Sequence, residues 1–496
     1  MPSIRKTKTA SGSTAVQVVR YKQRRVVVLK HLGSGKTSGE VDALVASAQL
    51  WIEEYNKQPP LFSRRSQRVL PISTTQYLGV TYTFARDVLL RVAQICGFDP
   101  KQNDLLLDLA IMRLVEPASK LRSLELLNRY FNIRYSRRDL YRKLPELLKQ
   151  KNDLEDAAVA CAKDVLSSDL ALVLYDVTTL YFETFTSDEL RVQGFSKDNK
   201  PQQPQIVIGL LVTRQGFPLS YEVFAGNTFE GKTMLPVLAS FAKRRDVQTP
   251  TVVADAAMLS QKNIAELTRN NFSYIVGARM ANLSLDLIKQ VSGELNQRDG
   301  ALIRVPTPRG DLVASFSKKR YRKNKGDMDR QITRGQKLVE QNEPGRRAKF
   351  VTKDNGDSYV LNQELINKTK QLLGIRGYYT NIPEDTLSNE DVVTRYHDLW
   401  RVESAFRMAK SDLASRPIFH YTEDAVRVHI LICFVALVLG KYIEIKTGVS
   451  TRLLRDMLWS ISEAHMVDTV TGETFVFRSS PSKEVEEFLQ QLGVSY

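Results

Sequence analysis

Three carboxylates, Asp176, Asp255 and Glu403, are the residues of this sequence whose types and surroundings best fit chemistry. Carboxylate oxygens from separate elements suit Mg²⁺, which keeps coordination positions open for water and phosphate. A pair of such ions activates an attacking water or hydroxyl and stabilises the leaving oxygen in an in-line displacement at phosphorus. The three residues therefore predict metal-assisted phosphoryl transfer.

Each aspartate follows an apolar, strand-like run of residues. Asp176 comes after Leu170 to Tyr175, and Asp255 comes after the run VVA. An acidic residue in such a place also occurs as a plain helix cap. Because functional sites gather at strand ends in α/β sheets, two such aspartates in one region favour a catalytic interpretation.

Glu403 lies in the segment YHDLWRVESAFRMAKSDL, whose pattern predicts one helix. At helical spacing Glu403 shares a mainly apolar stripe with Tyr396, Leu399, Phe406, Lys410 and Leu413. A carboxylate in a buried stripe needs a cation nearby. We expect a metal ion in that place, and an ion pair with Lys410 or Arg407 is the alternative.

The elements that must position these residues follow an α/β pattern. Between about 170 and 280, three strand-like runs precede alternating helices and strands, which predicts a mixed sheet flanked by helices. The pattern returns at GIRGYYTNIP and continues into a helix from about Asn389. Residues 281–370 interrupt it with short strand-like runs around a basic stretch. They predict an inserted, mainly-β, basic domain.

The chain before this region is basic and, after its first strands, helical. The run VQVVRYKQRRVVVLKHLG predicts a hairpin, and EVDALVASAQLWIEEYNK predicts an amphipathic helix. Few glycines interrupt the helical pattern between 80 and 165. The predicted organisation has six segments: 1–80, the helical 81–165, the first part of the α/β core at 166–280, the insertion at 281–370, the second part of the core at 371–445, and 446–496.

Composition and charge narrow the classes of partner. The 496 residues carry a net charge of +16, so a polyanion such as nucleic acid is the expected partner. The three cysteines are isolated, which indicates neither a disulfide framework nor a thiolate zinc site and suits a reducing cytosol. The longest apolar run, Ile430 to Leu439, is about half of the ~20 residues that span a bilayer. It predicts a buried helix and no membrane partner.

The segment GSGKTS, Gly33 to Ser38, lies between a strand-like run and a predicted helix, as a phosphate-binding P-loop does. The complete P-loop pattern has a further glycine five residues before Gly35, and that position is Lys30. A P-loop ATPase that acts on nucleic acid is therefore an alternative with an incomplete motif.

Three blocks of the sequence resemble the DDE transposases of bacterial insertion sequences, in the group with a β-strand insertion and a Y-R-E-K signature. The blocks are LYDVTTLYFE, then VVADAAMLSQKNIAEL with YIVGARM, and finally YHDLWRVESAFRMAKSDLASRPIFHYTEDAVRVHILICFVAL. They span roughly residues 165 to 445. The resemblance implies a ribonuclease H-like fold and gives the catalytic and metal-binding roles to Asp176, Asp255 and Glu403.

The resemblance also implies a reaction and its partners. The expected enzyme nicks the terminal inverted repeats of its element and joins the freed 3′-hydroxyls to target DNA. It would use Mg²⁺, for which Mn²⁺ can substitute, and would work as a homodimer in the bacterial cytoplasm, associated with the nucleoid. A domesticated relative that binds DNA without cutting, and a nuclease without strand joining, are the alternatives.

Several further residues are predicted to contact DNA. The tyrosine and lysine of the signature match Tyr396 and Lys410, but its arginine, expected four residues before the glutamate, is Leu399. Trp400 is predicted either to pack in the core or to stack on an unpaired base. The helical region 81–165 is expected to bind the DNA ends. The remaining predicted contacts are Arg401, Arg407 and, in a basic run that alternatively forms a solvated loop, Lys318, Lys319 and Arg320.

Overall fold

The computed structural model describes residues 2–22, 25–55, 72–102, 104–245, 250–258, 260–341, 348–354 and 358–494. They form two compact units. The first unit comprises Met1–Val88, Glu125–Arg134 and Leu453–Tyr496, and the second comprises Leu89–Leu124 and Tyr135–Arg452.

The strands of the described chain are β1 (Ser3–Lys8), β2 (Thr14–Lys22), β3 (Arg25–Gly35), β4 (Thr75–Thr81), β5 (Leu172–Tyr181), β6 (Gln205–Thr213), β7 (Pro218–Ala225), β8 (Thr251–Ala254), β9 (Ser273–Ala278), β10 (Leu302–Val305), β11 (Asp311–Phe316), β12 (Val351–Lys353), β13 (Tyr359–Leu361), β14 (Ile375–Thr380), β15 (Glu463–Asp468) and β16 (Thr474–Arg478).

Its α-helices are α1 (Ser38–Tyr55), α2 (Thr83–Ile95), α3 (Asp104–Val115), α4 (Lys120–Phe131), α5 (Arg137–Lys149), α6 (Lys151–Ala160), α7 (Met234–Arg245), α8 (Gln261–Arg269), α9 (Leu285–Leu295), α10 (Lys318–Gln341), α11 (Gln363–Gln371), α12 (Asn389–His397), α13 (Trp400–Arg407), α14 (Glu423–Thr447), α15 (Thr451–Trp459) and α16 (Lys483–Leu492). Single π-helical turns, Cys161–Val165 and Met408–Asp412, follow α6 and α13.

The first unit contains two small antiparallel sheets. One has the order β1-β2-β3, and α1 packs on it through a core of Val16, Val18, Leu44 and Ala48. The hairpin and helix predicted for this part of the sequence are thus confirmed. The other sheet has the order β16-β15-β4.

The GSGKTS segment forms the end of β3 and the start of α1. Its backbone N–H groups at Lys36 and Thr37 donate hydrogen bonds to Glu40 Oε2, at 2.6 and 3.2 Å. These hydrogen bonds lower the pKa of the Glu40 carboxyl. A P-loop needs such N–H groups free to hold phosphate. The carboxylate that already occupies them disfavours nucleotide binding here.

The second unit is built on an eight-stranded sheet with the order β10-β11-β14-β9-β8-β5-β6-β7. Strands β5, β8 and β9 are parallel, and the other neighbours pair antiparallel. Helices pack against its strands, among them α6, α7, α8, α9, α12, α13 and α14. The predicted mixed sheet flanked by helices is confirmed.

The long helix α14 is long and apolar enough to cross a membrane, but 89% of its most apolar window is buried inside the protein. The predicted buried helix at Ile430 to Leu439 is its middle portion. His429 is buried there, and its Nε2 lies 2.9 Å from the Ser415 carbonyl oxygen. This helix therefore forms core of the second unit.

The prediction of a mainly-β insertion at 281–370 was wrong in its secondary structure. Most of the described segment is helical, with α9, α10 and α11 in it. Strands β10 and β11 join the main sheet beside β14, and only β12 and β13 form a separate hairpin. Helix α10 escaped prediction because only three of its residues, Met328, Gly335 and Leu338, are buried, which leaves almost no apolar stripe.

The two units divide the chain differently from the six predicted segments. Residues 89–124 and 135–165, predicted as a separate helical region, group with the eight-stranded sheet. Residues 453–496 group with the N-terminal part of the chain. The cause is non-local strand pairing, since β4 pairs with β15 across almost 400 residues of sequence.

Candidate active site

Asp176 and Asp255 lie side by side on neighbouring parallel strands. The β5–β8 ladder pairs Tyr175 with Ala254, so one further step in register brings the two aspartates opposite each other. Adjacent strands are about 4.8 Å apart. Asp255 follows β8, as predicted, whereas Asp176 lies within β5, because that strand continues to Tyr181 in its antiparallel pairing with β6. Asp176 is therefore not a helix cap.

Tyr396 reaches Asp255 over a glycine. The tyrosine is buried, and its hydroxyl donates a hydrogen bond to Asp255 Oδ1 at 3.2 Å. Gly277 on β9 lies next in the ladder after the Ala254–Val276 pair, and a Cβ atom there would overlap the Tyr396 hydroxyl. Burial and the negative charge of Asp255 raise the pKa of Tyr396, which keeps its proton on the oxygen. The tyrosine thus orients Asp255.

Glu403 enters the site from α13, but its burial was predicted wrongly. It is exposed, and among the described residues no cation pairs with it. The predicted single helix is interrupted after His397, where Arg401 N–H and Val402 N–H bond to carbonyls three residues back. Helix α13 buries Val402, Ala405 and Phe406 but not Glu403, although Tyr396, Leu399, Phe406 and Leu413 of the predicted stripe are buried.

The three carboxylates line one cleft of about 610 Å³ in the second unit. Lys197, on the loop between β5 and β6, is part of its wall. Its Nζ lies 3.0 Å from Glu230 Oε1 and 3.9 Å from Asp176 Oδ1, and it donates a hydrogen bond to the Val177 carbonyl at 2.7 Å. The full lining is Asp176, Lys197, Asp255, Arg376, Tyr396, His397, Leu399, Trp400 and Glu403.

Asp176 carries a destabilised negative charge. Its side chain is 19% exposed. Burial raises its pKa to about 6, Asp255 and Glu230 add to the rise, and Lys197 opposes it. A carboxylate that is costly to ionise in the protein alone gains most from a bound cation.

The three carboxylates of the cleft offer oxygen ligands, which are the type of ligand that a hard divalent cation such as Mg²⁺ binds. Among the residues that the structure describes, no three His, Cys, Asp or Glu side chains are grouped closely enough to hold one ion by themselves. Mg²⁺ commonly binds through one or two carboxylates and completes its shell with water and substrate phosphate. The carboxylates of this open cleft are suited to that kind of binding.

The residues predicted to contact DNA lie in different environments. Lys410 is largely buried, and its Nζ lies 3.1 Å from Asp198 Oδ2, so it does not pair with Glu403. The guanidinium of Arg401 lies 4.2 Å from the ring centroid of the cleft residue Trp400, although Arg401 itself does not line the cleft. Arg407 is exposed. Their contacts with DNA stay predictions.

Trp400 is 50% exposed and lines the cleft, so the expectation that it packs in the core was wrong. The basic run at 318–325 is also not a loop, because it forms the first turns of α10. Lys318 and Lys319 are exposed there, and Arg320 is half-buried.

Lys197, Arg376 and His397 are cleft residues that the sequence did not single out. Arg376 had the clearer signal, since it is a lone charge within the strand-like run GIRGYYT. Lys197 lies in a connecting loop whose pattern gives no indication of its position.

Fold and site together define a DDE-type catalytic domain, in which a mixed sheet presents two aspartates and a following helix supplies a glutamate. The family described as Transposase DDE domain matches residues 168–439, which is more than half of the chain. The chain belongs to this family, whose members act on DNA with divalent metals.

One solved structure similar to this chain is a cryo-EM structure of the piggyBac transposase synaptic complex with hairpin DNA. It has 11% sequence identity and a TM-score of 0.37, and the match covers 82% of this chain and 75% of that one. No curated protein matches the sequence.

Proposed function

We propose that this protein is the transposase of a bacterial insertion sequence in the Y-R-E-K group, with a ribonuclease H-like core. It nicks the ends of its element and joins the 3′-hydroxyls to target DNA. The observation that carries the proposal is the convergence of Asp176, Asp255 and Glu403 on one cleft from three separate elements. The sequence blocks around them support the insertion-sequence origin.

Different parts of the structure hold the three carboxylates in place. Asp176 is fixed by the ladders on both sides of β5, and Asp255 is oriented by the Tyr396 hydroxyl. Glu403 lines the same cleft from α13, and no cation among the described residues pairs with it. When bound, Mg²⁺ ions would activate the attacking oxygen and stabilise the leaving oxygen.

Lys197 contributes a positive charge next to Asp176 and Glu230. While the cleft is without substrate, this ammonium limits the repulsion between the carboxylates. Exposed basic residues such as Lys318, Lys319 and Arg407 hold the DNA backbone and fix its register. A homodimer on paired ends and a cytoplasmic location belong to the same proposal, and the resemblance to insertion-sequence transposases supports them.

A plasmid that carries the coding region with its flanking DNA provides the test. We expect the purified protein to nick it at the element ends with Mg²⁺, and the Asp255→Asn variant to bind the same DNA without nicking it. Asp286→Asn, a matched change on the exposed first turn of α9, should nick normally. Normal nicking by Asp255→Asn would contradict the proposed site, and nicking without joining would identify a nuclease instead.

A further inference from the structure

The arginine of the Y-R-E-K signature has no equivalent at its own position. Leu399 stands there, buried at the start of α13. The nearest arginine in sequence, Arg401, lies against the ring of Trp400 and is not part of the cleft lining. If the chain cuts DNA as proposed, a different cation is needed to contact the DNA phosphate that the signature arginine would bind.

Arg376 is such a cation. It projects from β14 into the cleft that contains the three carboxylates, and it is exposed. Its guanidinium carbon lies 5.5 Å from the centroid of the Tyr396 ring, and the Tyr396 hydroxyl donates a hydrogen bond to Asp255. The arginine is thus held one side chain away from a catalytic carboxylate.

A second arginine lies close to the first. Arg376 lies opposite Ser315 in the β11–β14 ladder, and β11 ends at Phe316, just before α10 begins with Arg320 in its first turn. Arg320 is half-buried, and both burial and the charge of Arg376 lower its pKa. Burial and the two arginines also lower the pKa of His397. Asp398, which follows this histidine in the sequence, already pairs with Arg214 at 2.7 Å.

Neither Arg376 nor Arg320 pairs with a carboxylate among the residues that the structure describes. Two neighbouring guanidinium groups without an anion repel each other, and a phosphate that bridges or caps them removes the repulsion. Arginine is also the side chain whose planar fork binds phosphate in bidentate fashion. The cluster is therefore suited to a DNA phosphate beside the reacting one.

We infer that Arg376, with Arg320 behind it, binds a phosphate of the DNA backbone next to the three carboxylates and takes the place of the arginine missing at Leu399. This inference rests on the proposed function. It assigns to β14 a role in holding the substrate.

The test compares four variants: Arg376→Ala, Arg376→Lys, the double variant Arg376→Ala/Leu399→Arg, and the control Arg269→Ala. Arg269 is an exposed arginine at the end of α8, just before β9 begins. Binding of the DNA that flanks the coding region is measured by anisotropy over a range of salt concentrations. Cleavage is measured in a single turnover, and thermal melting reports on folding.

For Arg376→Ala we expect the slope of log K against log salt to fall by about 0.9, the value for one lost phosphate contact. Cleavage should slow by about tenfold or more, and the melting temperature should match that of Arg269→Ala. Arg376→Lys should keep the salt slope but not the full cleavage rate, because an ammonium group cannot bind in bidentate fashion. The double variant should recover part of the slope.

An unchanged slope in Arg376→Ala would overturn the inference, whether or not cleavage slows, because a purely structural arginine can slow cleavage but cannot change the count of phosphate contacts. The slope is measured without cleavage, so it decides the inference even for a protein that does not cut. If the wild-type protein does not cleave the DNA but its salt slope still depends on Arg376, the proposed function is contradicted and the inference about Arg376 stands.

Discussion

The charge on Asp176 should make the metal-free protein less stable. Burial raises the pKa of the Asp176 carboxyl from its ordinary value of 3.8 to about 6 in the folded chain. A shift of about 2 units corresponds to about 3 kcal/mol. An asparagine at position 176 would lack matched hydrogen bonds, which costs about 1 kcal/mol and reduces the stability gained by removing the charge. We therefore expect Asp176→Asn to stabilise the metal-free protein by about 2 kcal/mol above pH 7.

The pH dependence has a defined direction. Because the folded protein binds the proton more tightly than the unfolded chain, Asp176 has no destabilising effect below about pH 4. The effect grows as the pH rises from about 4 and is complete above about 6. The stability gain of Asp176→Asn should therefore shrink as the pH falls and, below about pH 4, give way to the loss of about 1 kcal/mol expected for the asparagine.

Urea unfolding with a chelator present, at pH 4.5, 6 and 8, measures this difference. Asp255→Asn serves as the control, since Asp255 is exposed and its substitution should change stability much less. Millimolar Mg²⁺ should then stabilise the wild-type protein more than Asp176→Asn. An Asp176→Asn variant no more stable than the wild type at pH 8 would refute the argument from burial.

Three further predictions concern Asp255 and the basic face of α10. Tyr396→Phe removes the hydrogen bond to Asp255 and should slow DNA cleavage by about 10- to 100-fold. End-DNA affinity should not change, and weaker binding would instead favour a phosphate contact. Gly277→Ala should cost about 1–3 kcal/mol of unfolding free energy through overpacking. Adding Tyr396→Phe should restore part of this loss, since the hydroxyl is the obstructing group, and no recovery would place the strain elsewhere. Replacing Lys318 and Lys319 by alanine should lower the salt slope of DNA binding by about 1.8, and an unchanged slope would exclude them from the DNA interface.

The parts of the site that depend on local sequence could be predicted. Asp176 and Asp255 follow runs of buried strand residues, and such runs are visible in any single sequence. The sheet that contains them was predicted for the same reason, because each of β5 to β9 has its own apolar pattern.

Glu403 lines the cleft, but the sequence argument for it rested on a burial that the structure contradicts. The argument assumed that one helix continues from Tyr396 to Leu413. The helix is in fact interrupted after His397 and again by the π-helical turn from Met408, and no glycine or proline in the sequence marks either place.

The remaining cleft residues depend on pairings between distant parts of the chain. Arg376 reaches the site because β14 pairs with β9, where Tyr378 lies opposite Gly277. Lys197 reaches it because its loop returns to β5, with its N–H donating to Thr179 Oγ1. Patterns of neighbouring residues contain no information about such contacts.

The close approach of Tyr396 to Gly277 has an evolutionary consequence. A side chain at position 277 and a tyrosine at position 396 compete for the same space, so neither position can change freely while the other stays as it is. In related chains, the two positions should covary: where the strand residue acquires a side chain, the aromatic hydroxyl should be lost, and another group must then orient the second aspartate.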